Sequence, residues 1–147
     1  MPSLSIEFPY RTRLEGGATV PVPVILAELP TPYGVYPIRL LLDSGADCTM
    51  MSRALGELAG IDVPSLPKVN VKGIAGQSVE VHRGSVSLRI AKLVLPPIPC
   101  LYVESTMNPL LLGRDGFFDL FNITLDNRRK KTFLTPLDAS MTRAMKR

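Results

Sequence analysis

The chain has 147 residues, is 46% hydrophobic and 20% charged, and carries a formal net charge of +4. That length and composition describe one globular domain spanning residues 1–147, and they exclude a disordered chain and a protein of two large lobes. Fourteen prolines, about twice the average share, argue against a helical bundle because proline breaks helix interiors.

Residues 1–17 read as an N-terminal arm without a continuous apolar segment, so no signal peptide is expected. Residues 19–29 are rich in Val and Ile, but Pro21 and Pro23 demote part of the stretch to an edge or a bend. Leu29-Pro30-Thr31-Pro32-Tyr33-Gly34 reads as a turn. Residues 35–42 form the next strand, and its all-apolar end Leu40-Leu41-Leu42 implies burial on both faces. Residues 51–59 suit a short helix capped by Ser52 and stopped by Gly60. Residues 69–71 and 79–81 are β-prone arms of a hairpin around Gly73-Ile74-Ala75-Gly76. Strands continue over 81–95, with Val86, Leu88 and Ile90 alternating against Ser85, Ser87 and Arg89, and another strand covers 99–103. One or two helical turns are expected over 115–121 and a terminal hairpin over 123–134, turning at 126–128. Residues 137–147 form a basic tail with Arg143, Lys146 and Arg147. Short strands with two small helices make this an all-β domain of barrel or sandwich type.

Partners and compartment follow from the same pass. No stretch reaches the roughly 18 apolar residues of a membrane helix, so no membrane partner is expected. The run Arg128-Arg129-Lys130-Lys131 could bind nucleic acid, but without interleaved aromatics it reads as a solvated turn. Cys48 and Cys100 are too few for a disulfide scaffold. Two free buried thiols are the default, a bridge between them stays open, and a reducing cytoplasm is the expected setting.

Asp43-Ser44-Gly45 follows the apolar strand directly. A carboxylate there costs desolvation unless something offsets it. Alone, the tripeptide is better explained by an Asx-type turn. Its surroundings add Ala46-Asp47-Cys48 and the short helix. About seventy positions on come Leu111-Leu112-Gly113-Arg114-Asp115, with the glycine-bearing hairpin between. This order resembles the retropepsin-like aspartic proteases, the clan of retroviral-type and Ddi1-type single-domain enzymes. The resemblance spans residues 20–134.

The resemblance implies a retropepsin-like closed barrel and an aspartic endopeptidase. Asp43 would be the catalytic carboxylate. Ser44, Gly45, Asp47 and Arg114 would support the catalytic turn, with Asp47 and Arg114 paired and Arg114 held partly buried behind its apolar run. Gly73, Ile74, Ala75 and Gly76 would form a flap over the substrate. Two carboxylates about 3 Å apart cannot both ionise; they share a proton, so one activates water while the other polarises the scissile carbonyl. Only one Asp-(Ser/Thr)-Gly exists here, and the simplest solution, which the resemblance also implies, is a two-fold homodimer that brings Asp43 against its own copy, with Ser44 bonding across the axis. No metal or cofactor is needed, and the single His82 reads as an ordinary strand residue. The expected partners are a second copy and a peptide or protein substrate. The competing reading is a module of the same fold that dimerises or binds peptides without efficient cleavage.

Overall fold

Strand alternation sets the centre of the molecule. Ile25, Ala27 and Leu29 are buried, while Leu26 between them stays exposed; this is the period-two pattern of a strand with one covered face. A computed structural model gives the architecture and describes residues 4–73, 75–104, 110–137 and 141.

The strands are β1 (Ile6–Pro9), β2 (Arg11–Glu15), β3 (Ala18–Val22), β4 (Val24–Thr31), β5 (Gly34–Leu42), β6 (Thr49–Ser52), β7 (Lys68–Lys72) and β8 (Ser78–Val86). They continue as β9 (Arg89–Ile90), β10 (Leu93–Val94), β11 (Ile98–Val103), β12 (Leu111–Leu112), β13 (Phe121–Asp126) and β14 (Lys131–Pro136). One α-helix, α1 (Arg53–Leu58), and two short 3-10 turns at Val63–Ser65 and Phe118–Leu120 complete the described elements. Nine strands form one sheet in the order β10-β9-β4-β5-β12-β6-β11-β8-β7. A second sheet, β1-β14-β13, joins the two ends of the chain, and β2 and β3 make a separate hairpin.

The fold is mostly β, as the sequence implies. The expected barrel is not what the pairing gives: among the described residues the large sheet runs open from β10 to β7. Its β10 end is only two residues long and is joined to the equally short β9 by a tight turn at Ala91 and Lys92, both at positive φ, which leaves no long edge to close upon. β1 pairs with β14 and β2 with β3, so residues 6–15 are built into sheets. The first helix starts at Arg53 rather than Met51, because Met51 and Ser52 are taken by parallel pairing with Tyr102 and Val103. Ser52 caps it as expected, its Oγ accepting from the Leu55 amide at 3.3 Å. The expected second helix shrinks to the 3-10 turn Phe118–Leu120. The loop before it turns through Gly116 at φ +83°, and the Gly116 amide donates to Asp119 at 3.2 Å. Arg128–Lys130 lie in the turn between β13 and β14, solvated as expected. Arg143, Lys146 and Arg147 lie outside the described residues.

The core fills the space under the large sheet. Ile25, Leu40, Ile90, Leu93, Leu112, Phe117 and Leu134 are fully buried, and burying such a side chain is worth about 1.5–3 kcal/mol. Leu40, Leu112 and Phe117 flank the segments that carry Asp43 and Arg114, so packing fixes the base on which the site stands.

Candidate active site

β5 delivers Asp43. Its pairing partner near the end is not β6 but β12, which enters about seventy residues later and lies parallel to it, Leu41 opposite Leu111 and Leu42 opposite Leu112. β12 also pairs antiparallel with β6 through Leu111 and Met50. The loop 43–48 therefore has to straddle the end of β12, and the backbone locks it there. The Asp43 amide donates to the Leu112 carbonyl at 3.0 Å. The Arg114 amide donates to the Ala46 carbonyl at 3.0 Å and the Asp115 amide to the Asp47 carbonyl at 2.8 Å. The Gly113 amide donates to the buried Thr49 hydroxyl at 3.2 Å. Gly113 has to be glycine for a spatial reason: a Cβ there would overlap the Cys48 carbonyl and come within 2.7 Å of its amide nitrogen.

The acid itself sits in a four-residue turn, closed by the Ala46 amide on the Asp43 carbonyl at 3.2 Å. One carboxylate oxygen, Oδ1, accepts from the Gly45 amide at 2.9 Å. Gly45 matters here through approach rather than backbone twist, since a Cβ would stand 3.2 Å from that oxygen. Asp43 is half-buried, and Ser44 and Gly45 are exposed. A half-buried carboxylate with one oxygen tethered and its turn open to solvent can still reach a water or a second carboxylate.

Arg114 and Asp47 meet as expected, the guanidinium Nη2 on the Asp47 Oδ1. The expected partial burial of Arg114 does not hold in the single chain. Its side chain is 54% exposed and that of Asp47 89%. The reason is local: the apolar pair ends at Leu112, and after Gly113 the chain turns outward while only the Arg114 backbone stays inside. An ion pair this open adds little to the stability of one chain.

The expected flap is the β7–β8 hairpin. β8 is supported by β11 only between His82 and Val86, whereas its pairing with β7 extends outward from His82 to Ser78. The hairpin thus overhangs the sheet. Its tip is closed by the Gly73 amide on the Gln77 carbonyl at 2.8 Å and the Gly76 amide on the Gly73 carbonyl at 2.9 Å. Ala75 and Gly76 are exposed, and Gly76 has φ +83°. Ile74 lies outside the described residues. His82 is a buried strand residue at the base of the hairpin.

Both cysteines are free, Cys48 half-buried in the loop and Cys100 fully buried in β11. Burial raises the Cys48 thiol above its ordinary range, with the Asp115 carboxylate adding to it. Burial pushes Cys100 up to about 12. Both are thus held as thiols at neutral pH, the less reactive form. Ellman's reagent at pH 7.5 should label Cys48 slowly and leave Cys100 untouched until denaturant is added, when two thiols per chain should react. Rapid native labelling of both would contradict this packing.

Among the described residues no group of three or more His, Cys, Asp or Glu side chains could hold a metal ion. The structure brings the expected residues Asp43, Gly45, Asp47 and Arg114 together around one turn. Sequence reasoning missed Thr49 as the anchor of Gly113, and it missed that Leu112 holds the Asp43 amide. The signal for Thr49 was a hydroxyl residue directly ahead of the apolar pair Met50-Met51.

A family model described as aspartyl protease matches residues 31–115. Among solved structures, a crystal structure of a retropepsin-like aspartic protease from Rickettsia conorii is similar over 92% of this chain and 94% of that one, with 18% identity and a TM-score of 0.64. A search of curated proteins gave no match. The structural likeness shows a retropepsin-like fold.

Proposed function

The chain belongs to the aspartyl protease family, and we propose that it is an endopeptidase whose active site is completed by a second copy of itself. The observation that carries the reading is the stapling of a single Asp-Ser-Gly turn to Gly113-Arg114-Asp115 with the Asp43 carboxylate left half-open. One such carboxylate is half of an acid–base pair. A two-fold axis beside the turn supplies the other half, because it sets a residue near the axis against its own copy.

In the paired site the two Asp43 groups hold one proton between them. The ionised carboxylate takes a proton from water as the water oxygen attacks the scissile carbonyl carbon. The protonated carboxyl hydrogen-bonds the carbonyl oxygen as negative charge develops there. The tetrahedral intermediate collapses when its C–N bond breaks and the amine nitrogen receives a proton from the pair. Ser44, exposed at the turn, bonds across the axis. The open Asp47–Arg114 pair becomes covered when the copies meet, and the free Asp47 oxygen faces substrate backbone. The β7–β8 hairpin closes over the peptide and excludes water. The expected location is the cytoplasm, and no cofactor takes part.

Mixing tests the shared site. A diverse peptide library is incubated with wild type, then with wild type plus a nine-fold excess of Asp43→Asn chains exchanged under the same conditions. If each site needs two Asp43 groups, most wild-type chains enter mixed pairs and cleavage falls about tenfold. Undiminished cleavage, or a strictly monomeric mass for the active species, would rule out the paired mechanism. Absence of cleavage by wild type alone would favour the binding module instead.

A further inference from the structure

The β2–β3 hairpin lies outside the matched residues 31–115 and pairs only with itself. Every residue of β2 is exposed. Opposite it stands the outward face of the β4–β5 ladder. Register places Val24 beside Leu41 and Leu26 beside Arg39 on that face, while Ile25, Ala27, Ile38 and Leu40 turn to the core. Against that face are two hollows, one of about 270 Å³ walled by β1 and Arg11 and one of about 290 Å³ walled by the β2–β3 hairpin, which share Arg11, Val24 and Arg39. The second reaches Leu41 and Leu110. Leu41 is two residues before Asp43, and its amide donates to the Leu110 carbonyl at 2.8 Å. The hollow therefore begins beside the candidate catalytic turn and runs away from it along β5.

Its charge is one-sided. Arg11 and Arg39 line both hollows, and among the described residues neither forms an ion pair with a carboxylate. Glu7, which lines the first hollow, is engaged by Lys131 at 2.5 Å. Arg13 is engaged by Glu15 at 3.1 Å. Two arginines without a carboxylate partner thus line these hollows together with the apolar Val24, Leu26, Leu41 and Leu110. The planar fork of a guanidinium matches a carboxylate with two parallel hydrogen bonds.

We propose that this hollow extends the substrate site and selects peptides with an Asp or Glu a few residues from the scissile bond. The inference rests on the peptidase reading above. Spacing sets the position. Arg39 is four strand residues before Asp43, roughly 13 Å at about 3.3 Å per residue, a span that an extended peptide covers in about four residues. The favoured acid therefore lies three to five residues from the cleaved bond. An acidic side chain there is recognised on binding and takes no part in bond breaking, so its effect falls on KM.

The test uses matched peptides that differ only by Glu or Gln at each of the positions two to six from one scissile bond. Wild type should cleave the Glu peptide about 5- to 10-fold better in kcat/KM at three to five residues, through KM, and 0.5 M NaCl should erase most of the gain. The Arg11→Ala/Arg39→Ala double variant should lose the preference and keep its rate on the Gln peptide. Cleavage without any acid preference, or a preference that survives in the double variant, overturns the proposal while leaving the peptidase intact. If wild type cleaves nothing, the peptidase reading fails. Fluorescence anisotropy of the same peptides on the Asp43→Asn chain then decides the hollow separately: Glu-dependent binding lost on Arg11→Ala/Arg39→Ala supports it, and equal binding of Glu and Gln peptides overturns it. A change in solution mass of the double variant also overturns it, by making the hollow a contact between copies.

Discussion

Asp43→Asn should lower kcat/KM by about 10⁴-fold, the upper range for losing positioned acid–base groups, and leave the fold standing. In a paired site the substitution removes both carboxylates at once, so neither a base for water nor an acid for the carbonyl remains. The amide still offers an oxygen to the Gly45 N–H that Asp43 Oδ1 now accepts from at 2.9 Å. The turn is further held by the Ala46 and Leu112 backbone bonds, which the side chain does not touch. The melting temperature should therefore stay within about 3 °C of wild type. Removing charge from a crowded two-fold contact should also leave association at least as tight. Peptide cleavage, circular dichroism and sedimentation on one preparation check all three. Retained cleavage would show that the carboxylate is not the catalyst.

Gly113→Ala should do the reverse, damaging the scaffold and the chemistry together. A methyl group at 113 meets backbone, the Cys48 peptide, rather than the yielding end of a side chain. Either the 43–48 loop lifts off β12 or β12 slides from between β5 and β6. Each route breaks the bonds from Gly113 to Thr49 and from Arg114 to Ala46. Overpacking against backbone at this depth costs about 3 kcal/mol or more, or roughly 6–12 °C in melting temperature for a chain of this size. Activity should fall even below that temperature, because Asp43 is aimed by the same loop. Thermal unfolding beside cleavage rates at 15 °C separates the two effects. A variant that melts like wild type would mean the loop does not lie on Gly113.

The parts of the site that were legible in the sequence are those whose signals are local. Leu40-Leu41-Leu42 followed by Asp43-Ser44-Gly45 announces a strand that ends in a carboxylate, and the structure has that strand, but it is buried on one face only, with Leu40 and Leu42 inside and Leu41 half-exposed, because no second layer covers the outer face of the β4–β5 ladder there. The spacing of Asp47 and Arg114 was legible through resemblance to a family pattern; their exposure was not, because burial depends on what the chain does after Gly113. Met51 was misread as helical because strand pairing with Tyr102, half the chain away, outweighs a local apolar spacing. The pairing of the N-terminal arm was not legible for a different reason. Gly16 and Gly17, both at positive φ, form a two-residue hairpin turn with a recognisable signature, but one arm, β2, is polar and the other, β3, carries Pro21, so the hairpin shows only in pairing. Arg39 could not be singled out at all: an arginine in a strand gains meaning only when a second element, here the β2–β3 hairpin, is known to face it.

The insertion of β12 between β5 and β6 also governs when the site can exist. Two strands consecutive in sequence, with only residues 43–48 between them, would ordinarily zip into a local hairpin. Here they are held apart for a partner about seventy residues downstream. Closing so long a loop before any ladder bond is gained makes folding slow and non-local. During synthesis, Asp43 emerges well before Leu111 and Gly113, and its turn has nothing to rest on until they follow. A nascent chain therefore carries the acid without the scaffold that aims it, and the turn is completed late, after most of the domain has left the ribosome.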